Sequence, residues 1–128
     1  MQNVQAIMTT AVITIQASAL VSEAIELMKT HQVHALIIAP RNGEQAYGIV
    51  TEADIAYKVI APEQDPKALT VGDIMTKPCI TTTPNVSVEN LAQLLVKNQI
   101  HRVPVVEGGL LGIVSTSDIL QRGEWWSS

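Results

Sequence analysis

The apolar positions of this chain change their spacing in a fixed order, and that order occurs twice. Residues 11–15 read as a short extended piece, and Ala24, Ile25, Leu27 and Met28 then recur at helical spacing. A nearly unbroken apolar run, Leu36-Ile37-Ile38, follows within residues 34–39, and a second lies at residues 47–51. Runs of that kind predict paired strands covered on both faces. A further helix is entered at Thr51. The second half repeats the series: an extended piece at residues 79–82, a helix carrying Leu91, Leu94, Leu95 and Val96, strands at 103–106 and 110–115, and a helix entered at Ser115. The predicted order is β-α-β-β-α, twice, in an α/β (α+β) chain.

Residue identities support the same division. Val4-Gln5-Ala6-Ile7-Met8-Thr9 matches Val71-Gly72-Asp73-Ile74-Met75-Thr76 at an offset of 67, which also aligns Gln32-Val33-His34 with Gln99-Ile100-His101. Beyond that point the offset falls to 64, so the first copy carries three extra residues within 40–46. Pro40, Asn42 and Gly43 make that segment a hairpin turn, where insertions cost least. Its counterpart is the turn around Glu107-Gly108-Gly109. Pro62 and Pro66 mark residues 61–67 as a linker. The chain is thereby divided into a first repeat at 1–60, a second at 68–122 and a tail at 123–128. Ser87, with Asn90 three positions on, is a good cap for the second repeat's long helix. Leu20 stands at the matching position of the first repeat, where a less sharply defined helix start is expected. Trp125 and Trp126 are expected to cover an apolar groove or a partner.

Composition narrows the function classes. With 128 residues, 47% of them hydrophobic, the chain buries a sizeable core, and the absence of Phe makes that core aliphatic. A formal net charge of -4 with scattered basic residues argues against nucleic acid as a partner. Cys79 is alone, which fits a reducing compartment. No signal-type segment or membrane-length apolar run stands in the sequence, so a cytoplasmic protein without a membrane partner is expected.

The chemistry concentrates in one stretch that occurs twice, Gly48-Ile49-Val50-Thr51-Glu52-Ala53-Asp54-Ile55 and Gly112-Ile113-Val114-Ser115-Thr116-Ser117-Asp118-Ile119. A strand running into a helix start exposes backbone N–H groups to an anion, with Thr51 or Ser115 as the cap. An aspartate accepts two hydrogen bonds, which matches the 2′- and 3′-hydroxyls of a ribose, and Asp54 and Asp118 are the candidates. The same four residues also fit a helix-capping box, a role compatible with ligand binding. His31, His34 and His101 have no Cys or carboxylate completing a metal-ligand spacing. Cys79 has no activating partner in sequence, and Ser115 has no His–Asp pair, so no catalytic constellation is read and no enzyme is expected.

Two β-α-β-β-α copies, each opening with I-M-T and closing with G-x-x-[ST]-x-x-D, resemble a pair of cystathionine-β-synthase (CBS) domains, a stand-alone Bateman module. The resemblance runs from about Val4 to Leu120. It implies repeats related by a pseudo-two-fold axis around a central cleft that binds an adenosine-containing ligand: AMP, ADP or ATP, with S-adenosylmethionine or NAD as alternatives. It also implies sites built across the repeats. On that pattern Asp118, Ser115 and Thr116 face Thr10, Ala11, Val33, His34 and Ala35, while Asp54 and Thr51 face Lys77, Pro78, Ile100, His101, Arg102 and Pro104. The copies differ where Ala11, Ala35 and Ile37 stand against Pro78, Arg102 and Pro104, so unequal sites are expected, with Arg102 and Lys77 near phosphates at the Asp54 site. No cofactor is required. The expected function is regulatory sensing that modulates a partner protein; a scaffold without a physiological ligand and a slow nucleotide-processing enzyme are the alternatives. Apolar residues on the closing helices (Ile55, Val59, Ile60, Ile119, Leu120) predict a homodimer, the common association of such pairs.

Overall fold

The computed structural model describes residues 2–124, so Trp125 and Trp126 lie outside the described residues. The elements are α1 (Val4–Ile7), α2 (Val21–His31), β1 (Ala35–Ile38), β2 (Gly48–Thr51), α3 (Glu52–Ile55, continued by a π-helical turn Ala56–Ile60), α4 (Val71–Ile74), α5 (Val88–Asn98), β3 (Arg102–Val106), β4 (Leu110–Ser115) and α6 (Thr116–Arg122). They form two compact units: residues 13–79, and residues from 80 onward together with those up to 12. The sequence repeat and the spatial unit are therefore different divisions of the chain. Each one-turn opening helix packs in the unit built on the other repeat's body.

In the unit of residues 13–79, β1 and β2 pair antiparallel, with Ala35 opposite Thr51 and Ile38 opposite Gly48. The apolar run of β1 is buried along its whole length, as its unbroken pattern requires. α2 covers the hairpin with Val21, Ala24 and Met28, and Val71 and Ile74 of α4 complete the core. The extended piece at 11–15 reaches β1 through Thr14 alone, in parallel, with Ile37 donating to the Ile13 carbonyl and Ile15 donating to that of Ile37. In the other unit β3 and β4 pair antiparallel from Arg102 opposite Ser115, with a register shift at Val105/Val106. α5 packs on them with Val88, Leu91 and Leu95, and α1 adds Val4 and Ile7. Thr82 makes the equivalent parallel bridge, to Val105. Burying each such aliphatic side chain contributes about 1.5–3 kcal/mol.

Two expectations are corrected. α2 starts as sharply as α5 although Leu20 gives no side-chain cap. Carbonyls of the segment leading into α4 replace one: Val21 N–H donates to Leu69 and Ser22 N–H to Pro66. Ser87 caps α5 as expected, accepting from Asn90 N–H at 3.1 Å. The second correction concerns α3 and its continuation. Ile55 and Val59 are buried in the unit's own core, leaving Ile60 and Tyr57 exposed there. In α6 Leu120 is exposed and Ile119 half-buried.

Candidate functional site

Each hairpin delivers its second strand into a short helix, and the junction is built the same way twice. Thr51 N–H and Oγ1–H both donate to Asp54 Oδ2, at 2.8 and 3.1 Å, while Thr51 Oγ1 accepts from Asp54 N–H at 3.2 Å. Ser115 and Asp118 repeat the arrangement at 2.9, 3.0 and 3.3 Å. These are capping boxes made with aspartate, and they fix one oxygen of each carboxylate. The side chains of both aspartates are only 15% exposed.

A cation missed in the sequence stands four residues after each aspartate. Lys58 Nζ lies 3.0 Å from Asp54 Oδ1 and donates at 2.8 Å to the carbonyl of Ile74, the last residue of α4. Arg122 takes the equivalent place in the other unit. It donates to the carbonyls of Ile7 and Met8 at 3.4 and 3.3 Å, but its Nε is 3.9 Å from Asp118 Oδ1. The spacing of an acid four residues before a base, in both copies, is the signal that could have found them.

The left-handed caps Gln32 and Gln99 (φ 54° and 55°) turn the chain from the long helices toward Val33-His34 and Ile100-His101. The carbonyl of His34 accepts from Glu52 N–H at 3.0 Å, and that of His101 from Thr116 N–H at 2.9 Å. Val33, His34 and Ala35 thus stand beside Thr51–Asp54, and Ile100, His101 and Arg102 beside Ser115–Asp118, each within one unit. His34 Nδ1 is 3.0 Å from Glu52 Oε2. An open groove of about 560 Å³ runs along this side of the first unit, lined by Ile25, Met28, Val33, His34, Glu52 and Ile55 among others.

The opening segments complete the surroundings. Thr76 bridges to Ile49 and Thr9 to Ile113, so Lys77-Pro78 and Thr10-Ala11 leave from beside the strand that carries each motif. Space constrains the motif glycines, Gly112 more than Gly48. A Cβ on Gly112 would stand 2.6 Å from the Thr9 carbonyl oxygen, and one on Gly48 would stand 3.2 Å from Met75 Sδ. Lys77, expected near phosphates, is paired with Glu44 on the inserted turn of the first repeat. That ammonium, by hydrogen bond and by charge, holds the Glu44 carboxyl below the usual glutamate range. Pro104 is buried within β3, opposite Ile113. Of the residues expected across the repeats, the structure brings Lys77 and Pro78 into the unit of Asp54, and Thr10 and Ala11 into the unit of Asp118. Val33 to Ala35 and Ile100 to Pro104 share a unit with the other aspartate.

Cys79 is half-buried, and desolvation pushes its thiol above the usual cysteine value, the opposite of what a nucleophile needs. Among the described residues no three His, Cys, Asp or Glu side chains come together as a metal site. No helix among them is long and apolar enough to cross a membrane.

Comparison with known proteins agrees with this construction. The CBS domain model matches residues 4–61 and again 71–124. The mitochondrial CBS domain-containing protein CBSX3 of Arabidopsis thaliana is 37% identical over 105 residues, which are 79% of this chain and 51% of that protein, so the chain spans about half its length. Among solved structures, a hexameric CBS-CP12 protein from bloom-forming cyanobacteria is 46% identical with a TM-score of 0.94, covering 97% of this chain and 72% of that one. The CBS domain pair of protein MJ0100, in complex with 5-methylthioadenosine and S-adenosyl-L-methionine, is 30% identical with a TM-score of 0.81, covering 94% of each chain. Twice-built hairpin, capped aspartate and matched family model converge on one assignment: the chain belongs to the CBS-domain family and carries two CBS domains.

Proposed function

We propose that this protein is a regulatory module that binds an adenosine-containing ligand, AMP, ADP or ATP, through Asp54 and Asp118, one from each repeat, and modulates a partner protein in response. The carrying observation is the state of the two carboxylates. In each, Oδ2 is held by the backbone and hydroxyl of the capping residue, so Oδ1 has a fixed direction, as a group that reads a vicinal diol needs. The adenosine compounds bound by the MJ0100 pair support this ligand class and keep S-adenosylmethionine as the second reading. His34, His101 and the residues beside them supply backbone and ring contacts to the base. Lys77 and Arg102 serve phosphates. No cofactor takes part, and the protein is cytoplasmic and not an enzyme: the raised Cys79 thiol and the capping engagement of Ser115 leave neither as an activated nucleophile.

The test is a thermal-shift series with adenosine, AMP, ADP, ATP, S-adenosylmethionine and, as controls, guanosine and GTP. A rise in melting temperature confined to adenosine compounds is the expected result. No shift with any of them would leave the scaffold reading in place.

Exposed Tyr57, Ile60, Leu120 and Val96 support self-association, and the hexameric CBS-CP12 neighbour shows that a similar pair assembles. We propose a homodimer as the basic assembly. Light scattering at micromolar concentration should give twice the monomer mass; a monomer mass would rule out the dimer.

A further inference from the structure

The two aspartates differ in what holds their second oxygen. Asp54 Oδ1 is in direct contact with Lys58 at 3.0 Å, and the same ammonium is anchored on the Ile74 carbonyl at 2.8 Å. Asp118 Oδ1 has Arg122 Nε at 3.9 Å, an ion pair beyond hydrogen-bond reach, while the NH1 of the same guanidinium donates to the Ile7 and Met8 carbonyls. Lysine brings its donors on one compact ammonium, which serves carbonyl and carboxylate together. Arginine's planar fork, with NH1 on the two carbonyls, keeps the carboxylate at ion-pair distance without a hydrogen bond to Oδ1. Among the described residues, Asp118 Oδ1 accepts no hydrogen bond, whereas Asp54 Oδ1 is already occupied.

We infer that Lys58 is a specificity-determining residue that competes with ribose hydroxyls for Asp54 and so makes the Asp118 site the tighter of the two for adenosine. The inference rests on the proposed reading of both aspartates as ribose acceptors. A hydroxyl pair arriving at Asp118 meets an open acceptor. One arriving at Asp54 must share Oδ1 with an ammonium or displace it. Orientation does not depend on the lysine, because the capping box alone holds Asp54 Oδ2 through two donors.

The experiment uses the 128-residue chain in two backgrounds, Asp118→Ala, which leaves the Asp54 site, and Asp54→Ala, which leaves the Asp118 site. Adenosine is titrated by calorimetry before and after adding Lys58→Met. Lys58→Gln is run alongside, since it removes the charge but keeps a donor for the Ile74 carbonyl, and melting curves check that each variant is folded. Asp54→Ala should bind adenosine more tightly than Asp118→Ala. Lys58→Met and Lys58→Gln should tighten binding about threefold in the Asp118→Ala background, the scale of a half-exposed ion pair, and leave it unchanged in the Asp54→Ala background. Unchanged or weaker binding in the Asp118→Ala background would overturn the role of Lys58, while the single-aspartate dependence would still uphold the ribose reading. Equal tightening in both backgrounds would mean an effect on the fold and would also overturn it. Absence of adenosine binding in every variant, including those with Asp54 Oδ1 released, would overturn both.

Discussion

Asp54 and Asp118 use the two oxygens of one side chain differently. One oxygen closes a capping box; the other is proposed to take a ligand and, at Asp54, is held by Lys58. The sequence showed the capping box, because a cap residue followed three positions later by an acid is a local pattern. It did not show Lys58, whose second anchor at Ile74 is remote in sequence. Nor did it show Glu44, which reaches Lys77 only because the inserted turn folds back on the opening segment. That pair makes a testable prediction. Lys77 holds the Glu44 carboxyl below its ordinary value of 4.5. A depressed folded-state pKa contributes stability that is fully present above the unfolded value and is lost as pH falls through the folded one. Glu44→Gln should therefore flatten the acid limb of the melting-temperature profile below about pH 4.5. A limb as steep as the parent's would show that the pair contributes nothing to stability.

At the scale of elements, periodicity read the long helices and both hairpins well because their apolar spacing is uninterrupted. It read the extended pieces at 11–15 and 79–82 as strands, whereas each makes a single parallel bridge. It also placed Ile55 and Val59 on an outer face, although both are buried where the helix widens into a π turn. Apolar spacing shows that a face exists, and only packing decides what covers it. The motif glycines give the prediction at this scale. Gly112→Ala would drive a Cβ into the Thr9 backbone, at 2.6 Å, and nothing flexible can yield there. Gly48→Ala meets the Met75 thioether at 3.2 Å and the Ile38 Cβ at 3.3 Å, contacts that relax by a few tenths of an ångström. Chemical denaturation should show Gly112→Ala costing on the order of 1–3 kcal/mol, and Gly48→Ala distinctly less. Equal costs would mean that the opening segment moves aside as easily in one unit as in the other.

For the whole molecule, duplication was legible as an offset in sequence, whereas the exchange of opening segments followed only from the family resemblance, which set Thr10-Ala11 with Asp118 and Lys77-Pro78 with Asp54, because identity along the chain says nothing about which body a segment packs on. Residues up to 12 belong with the unit from residue 80 onward, where Val4 and Ile7 are fully buried. Deleting residues 1–12 should therefore raise hydrogen exchange at the amides of Leu91, Val103 and Val114 and spare those of Leu36 and Val50. Loss of protection at Leu36 and Val50 instead would contradict the division into units. Functionally the molecule is proposed to report an adenosine compound through ribose hydroxyls read by Asp54 and Asp118. The most direct measurement is calorimetry of adenosine against 2′,3′-dideoxyadenosine, on the parent and on the Asp54→Ala, Asp118→Ala double variant. The parent should bind adenosine about tenfold or more tightly than the dideoxy compound, the worth of hydrogen bonds to a charged acceptor, and the double variant should bind both equally weakly. Equal affinity of the parent for the two compounds, or undiminished discrimination in the double variant, would contradict it.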